Sequence, residues 1–299
     1  MEWFVLALTA SVLWAGTDVI DKYILTEHLG NPFSYQLLFL LTEIPIPFLL
    51  LALTPVSFLF PWSALSMLAG LVIFSSFLFY YKAMTVEEAS RVISLLYVGP
   101  IFVLPLAFVF LGESLGLSQY LGVVLLVLSA ILVSYRKIGG KKSSVISPAL
   151  GFMLAFDLVH AGYEILAKYI LIFIDYWCFL FWWLTGGLVG GFLLFCFPRV
   201  RRNFLSDLRT IRKSVFFWRS ICTCLFFVGV ISYYAAVSIE SISLVIAVPS
   251  VEPFFLLLLI VSLSYIMPEI IEEEMSRRAI ILKMSAIFLV VLGAWLTAG

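Results

Sequence analysis

The sequence predicts an all-α integral membrane protein of ten transmembrane helices, arranged as two inverted five-helix repeats. Three observations predict it: an apolar composition, ten apolar runs of spanning length, and an internal duplication. The 299 residues are 63% hydrophobic and 12% charged with a mean hydropathy of +1.14. Soluble domains run near ~45–50% apolar and ~25% charged, and no soluble core absorbs this much apolar surface. A spanning helix needs about 20 apolar residues. Runs of that kind occupy 3–25, 33–53, 64–84, 91–111 and 118–135, then 148–172, 177–197, 215–237, 241–263 and 278–298.

The first run is retained as helix one, because it is too long for a signal-peptide core, carries Asp18 and Asp21, and follows Glu2 where a signal places positive charge. Helix two holds Glu43 shortly before Pro45 and Pro47, helix three ends on Tyr80-Tyr81-Lys82, and helix four carries Pro100. After helix five comes a polar linker, 138–147, with Gly139-Gly140 and Ser143-Ser144. The chain therefore divides into a first repeat at 1–137, the linker, and a second repeat at 148–299. Helix seven has Gly186-Gly187 and Gly190-Gly191, a spacing that permits close helix packing within the chain or between chains. Helix eight ends on Tyr233-Tyr234, helix nine contains Glu252-Pro253, and helix ten closes the chain.

Helix six repeats helix one. Ala15-Gly16 returns as Ala161-Gly162, and Lys22-Tyr23-Ile24-Leu25 as Lys168-Tyr169-Ile170-Leu171, an offset of 146 residues. A second match, offset by 153, pairs Tyr81 with Tyr234, Ala83 with Ala236, Glu87 with Glu240, Ser90 with Ser243 and Pro100 with Pro253. An offset near half the chain marks duplication. An odd number of spans per repeat makes the second enter the membrane from the opposite side, which is the architecture of secondary transporters with a site where the halves meet.

Net charge is zero, but its distribution is lopsided. All of the 18 basic residues except Lys168 lie in loops after odd-numbered helices, Arg219 among them, or at nearby helix ends. Basic loops stay cytoplasmic, which predicts a cell-membrane protein with both termini outside. This basicity requires no nucleic-acid partner. Cys178, Cys196, Cys222 and Cys224 all fall in apolar runs without a CxxC motif and read as small hydrophobes, neither disulfides nor metal ligands.

In Tyr81-Lys82-Ala83-Met84, Pro100 and Leu111-Gly112-Glu113 the chain resembles the EamA family of the drug/metabolite transporter superfamily, whose motif runs from the end of helix three through helix four. The second half keeps Pro253 but has Ile266 and an acidic 268–274 stretch where Leu-Gly-Glu would fall. The resemblance implies two five-helix repeats, transport of amino acids or related metabolites, often outward, and cytoplasmic termini, opposite to the charge count.

An ionisable side chain at mid-bilayer costs at least ~2.5 kcal/mol, so each should face a cavity or a partner. Ser11, Trp14, Asp18 and Lys22 share one face of helix one, and Asp157, His160, Glu164 and Lys168 share the matching face of helix six. Trp14, Asp18, Asp157, His160 and Glu164 are thus candidate substrate-cavity residues, with Tyr81 and Tyr234 added if they stack on substrate. Prolines free backbone carbonyls, so Glu43 and Glu252 are candidate proton carriers. The plainer reading gives i,i+4 ion pairs Asp18–Lys22 and Glu164–Lys168, a neutral His160 bonded to a neighbouring helix, and an interfacial belt for Tyr80, Tyr81, Tyr233 and Tyr234. Trp62, Trp177, Trp182, Trp183 and Trp218 read as belt or lipid-facing.

The partners expected are the lipid bilayer, a small-molecule substrate and protons; no cofactor and no metal are expected. An enzyme lacks support: only His28 and His160 are present, with no H-E-x-x-H and no nucleotide-binding P-loop. A channel or facilitator remains the main alternative to a carrier that exchanges an amine-bearing solute by alternating access, with Trp14 offering a π face to a cation.

Overall fold

The computed structural model describes residues 2–298 apart from 113–115, 138–143, 241, 247 and 267–276. Among the described residues, seven helical segments are long and apolar enough to cross a membrane, two of them interrupted within their length, and three shorter apolar stretches lie at Tyr120–Ser129, Val248–Leu263 and Ile280–Leu296, within the predicted fifth, ninth and tenth spans.

In the first half, α1 (Glu2–Glu27), α4 (Trp62–Val86) and α7 (Leu117–Ser134) are continuous, while two predicted spans are broken. Span two divides into α2 (Pro32–Glu43) and α3 (Pro45–Leu53), because Pro45 has no N–H to continue the ladder. Span four divides into α5 (Ala89–Leu96) and α6 (Pro100–Leu111). A left-handed Gly112, φ +70°, caps α6, a conformation open to glycine at little cost. Asn31 starts α2 by accepting from the Phe33 N–H at 3.1 Å.

The linker region departs from a purely helical chain. Tyr135–Lys137 (β1) and Ser144–Ile146 (β2) pair antiparallel, with Tyr135 opposite Ile146. Strand formation at the predicted end of span five stops that helix at Ser134. The glycines of the linker lie outside the described residues, as do Glu113 and the acidic 268–274 stretch.

The second half runs α8 (Pro148–Ile170), α9 (Tyr176–Cys196), α10 (Pro198–Thr210), α11 (Lys213–Ile239), α12 (Ile242–Val245), a 3-10 turn (Val248–Val251), α13 (Glu252–Ile266) and α14 (Arg277–Ala298). Asp175 caps α9 through the N–H groups of Trp177 and Cys178. The basic stretch read as a loop contains α10, whose Phe204 is buried while Arg199, Arg201, Arg202 and Arg209 are exposed. Pro198 at its first turn starts it and buried Phe204 holds it to the bundle, a pattern easily hidden by the arginines.

Packing crosses the halves in matched pairs. α1 lies against α11 and, correspondingly, α8 against α4; α2 meets α11 as α9 meets α4; α1 meets α13 as α8 meets α6. α7 and α14 pack together, with Ser129 donating to the Ala286 carbonyl at 3.0 Å. At the α4–α9 crossing Gly70 sits on the Trp183 carbonyl and Gly186 on the Met67 carbonyl, so close that a Cβ on either would collide with backbone. The glycines of helix seven therefore serve a contact inside the chain.

The two lysines of the duplicated segment do the same thing. Lys22 Nζ donates to the carbonyls of Met84 and Glu87, and Lys168 Nζ to those of Val237 and Glu240, all at 2.8 Å. Each lysine thereby satisfies C-terminal carbonyls that a helix leaves open.

Candidate functional site

A central cavity of about 140 Å³ lies between the halves. It is lined from α1 by Trp14, Asp18 and Asp21, from α4 by Tyr80 and Tyr81, from α8 by Asp157, His160 and Glu164, from α9 by Trp183, from α11 by Arg219, Tyr233 and Tyr234, and from α13 by Glu252. Eight of the nine expected site residues are thus brought together. Glu43 is not among them: it ends α2 and lines a smaller cavity of about 20 Å³ next to the first. Glu43 and Glu252 also sit at helix breaks, where sequence placed them inside continuous helices, because the prolines that follow end the preceding hydrogen-bond ladder.

The cavity carboxyls are held by tyrosines. Tyr80 donates to Asp18 Oδ1 at 2.7 Å, Tyr234 to Glu164 Oε1 at 3.4 Å, and Tyr97 to Glu252. Tyr163 and Tyr234 share a hydrogen bond. The belt reading of Tyr80, Tyr81, Tyr233 and Tyr234 is therefore corrected: all four are buried, because their hydroxyls face the cavity. Trp183 likewise leaves the lipid face and walls the cavity. The ion pairs Asp18–Lys22 and Glu164–Lys168 do not form; the ammonium groups bond carbonyls instead.

Three carboxylate oxygens accept no hydrogen bond among the described residues, Asp18 Oδ2, Asp157 Oδ2 and Glu164 Oε2, and the Asp18 carboxyl lies beside that of Glu252. His160 stands 3.8 Å from Glu164 Oε1 on its own helix, with its ring against Phe156 at 5.3 Å. Trp14 lies over Gly229, where a Cβ would reach its ring nitrogen, and its indole faces Tyr233 at 5.4 Å. The lining therefore has five carboxyls against one guanidinium and one imidazole, walled by aromatic rings.

The one guanidinium of this lining stands where the sequence predicts a loop residue. Arg219 is not a loop residue: it is 1% exposed inside α11 and pairs with Asp21 Oδ1 at 2.6 Å. The same Asp21 oxygen accepts from Tyr35 at 2.5 Å and lies 3.0 Å from Cys222 Sγ, so this cysteine belongs to a polar cluster. Tyr35 also contacts Arg219 Nη1, and the guanidinium covers Phe39 at 4.6 Å. The signal was present, since Arg219 falls inside the 215–237 run, where a charge calls for a buried partner. Arg91 and Lys283, also counted with the basic face, are buried and meet Glu88 at 3.4 Å and 2.8 Å. Among the described residues no group of three His, Cys, Asp or Glu is placed to hold a metal ion.

Fold and site together define a multi-pass helical membrane protein with a polar chamber at its centre. Residues 1–135 match the model of the EamA-like transporter family, a family of membrane transporters. No curated protein matches it. Among solved structures, one titled only as the crystal structure of a protein superposes with a TM-score of 0.64 at 15% identity, over 98% of this chain and 95% of that one. At that identity the likeness concerns the fold alone.

Proposed function

We propose that the chain is a ten-span secondary carrier, two inverted repeats at 1–137 and 148–299 joined by 138–147, that moves a small polar organic solute bearing an amine by alternating access. One observation carries the substrate class. Three carboxylate oxygens without partners, on Asp18, Asp157 and Glu164, face a chamber walled by Trp14, Tyr81, Trp183 and Tyr234. A buried carboxylate without a counterion favours a cationic guest, and aromatic faces add cation–π attraction of about 0.5–2 kcal/mol. Asp157, which has no polar partner of its own among the described residues, is the primary ammonium contact. Amino acids and related amines fit this chemistry.

Matched packing across the halves supports the repeat reading. Asp21–Arg219 ties α1 to α11 and is the bond that rocking one half against the other must loosen. The exposed arginines of α10 support a cytoplasmic placement of that face in a cell membrane, with the termini outside. Protons are the proposed coupling ion, with Glu43 and Glu252 as carriers.

Counterflow tests the carrier against a channel. Proteoliposomes preloaded with a mixed pool of amino acids, nucleosides and amines should exchange one class selectively and with saturation; flux that rises linearly with concentration and shows no trans-stimulation supports the channel instead.

A further inference from the structure

The second cavity lies beside the first but is a different kind of site. Its volume of about 20 Å³ holds a single water or small ion and excludes any organic substrate. Two buried oxygens on its wall have no hydrogen-bond partner among the described residues, Glu43 Oε2 and Gln36 Oε1. Both side chains are buried, at 3% and 1% exposure. The Gln36 amide is not free to turn: its Nε2 donates to the Phe74 carbonyl, which leaves the oxygen as the end without a partner.

Two acceptors that share one small chamber call for a donor or a cation between them. The titratable groups facing Glu43 from the surrounding elements are Tyr81 on α4 and Arg219 on α11; Arg219 bonds Asp21 and Tyr35 through Nη1, while its Nε and the Trp183 Nε1 on the cavity wall have no hydrogen-bond partner among the described residues. We propose that Glu43 and Gln36 form a small-cation site, for a proton or Na⁺, separate from the substrate chamber and serving as its coupling site. Phe39, Phe77, Tyr81 and Trp183 wall both cavities, so a substrate that shifts these rings alters the site around Glu43. This proposal rests on the carrier reading.

The test uses full-length protein in proteoliposomes and the compound that counterflow selects. Wild type should accumulate it under an inward pH gradient or an inward Na⁺ gradient; one pH unit, coupled one to one, supports up to about tenfold accumulation. A pH-driven result names the proton and a Na⁺-driven result names sodium. Glu43→Gln should abolish that accumulation, and any counterflow it retains shows that it is folded. Gln36→Leu should weaken it, which keeps the test alive if the first variant does not fold. Accumulation driven by neither gradient in wild type, or retained in full by Glu43→Gln, overturns the proposal while leaving the carrier standing. Absence of counterflow in wild type instead contradicts the carrier. In that case an infrared carboxyl band that titrates with protons or Na⁺ and vanishes in Glu43→Gln supports the site, and its absence overturns it.

Discussion

At the scale of single residues, Asp157 and Arg219 mark opposite ways of handling charge inside a bilayer. Arg219 is met at once by Asp21, Tyr35 and the face of Phe39, so its charge is balanced inside the protein. Asp157 has no such partner and can be balanced only by a guest or a proton. Replacing it should therefore change binding more than folding. Asp157→Asn is expected to raise the KM for an amine-bearing solute about tenfold or more, the ~1.5–3 kcal/mol of a hydrogen bond to a charged group, with thermal unfolding in detergent unchanged. Arg219→Leu should act on stability, costing about 3–5 kcal/mol because Asp21 is left buried without its cation. The double variant Asp21→Leu/Arg219→Leu should recover much of that loss in the same unfolding assay. How much of this the sequence showed depends on the neighbours. The polar stripe Trp14–Asp18 and its mate Asp157–Glu164 were legible, because helical spacing alone puts each set on one face. That tyrosines from α4 and α11 would receive these carboxyls was not, since it depends on which helices pack together.

Among elements, the breaks and crossings decide where functional groups stand. Pro45 ends α2 at Glu43, and the 3-10 turn before Pro253 puts Glu252 at the mouth of α13. The prolines and the glutamates are visible in the sequence, but hydropathy reads the same on both sides of a kink and so predicts unbroken helices through them. The glycine pattern of α9 was legible as a close contact; its partner, Gly70 of α4, was not, because nothing in Gly70's own run singles it out. Lys22 and Lys168 were expected to pair with carboxylates one turn away and instead bond the end of a neighbouring helix. A helix terminus offers several carbonyls at once, whereas an i,i+4 pair on a helix surface is worth only ~0.2–0.5 kcal/mol. Because the two clamps are equivalent, Lys22→Met and Lys168→Met should lower the unfolding temperature by similar amounts; a loss confined to one would show that the halves are not held alike.

For the whole molecule, matched packing of α1 on α11 and α8 on α4 turns a duplicated sequence into a chamber shared by both halves. The proposed orientation rests on charge that solvent can see. With Arg91, Arg219 and Lys283 buried and paired, the basic face rests on Arg199, Arg201, Arg202 and Arg209 of α10 and its neighbours. An epitope tag after Gly299 should accordingly be reached by antibody on intact cells, before permeabilisation; labelling only after permeabilisation reverses the orientation. On the carrier reading, this acidic, aromatic chamber selects for an amine. The most direct measurement of that selectivity is competition in counterflow between an amine-bearing solute and its own N-acetylated form, which has nearly the same shape but no cation. The chamber described here predicts at least about tenfold weaker competition by the acetylated compound, the loss of one charge-assisted contact, and a smaller difference in Asp157→Asn. Equal competition by the two compounds in the wild-type protein would contradict it.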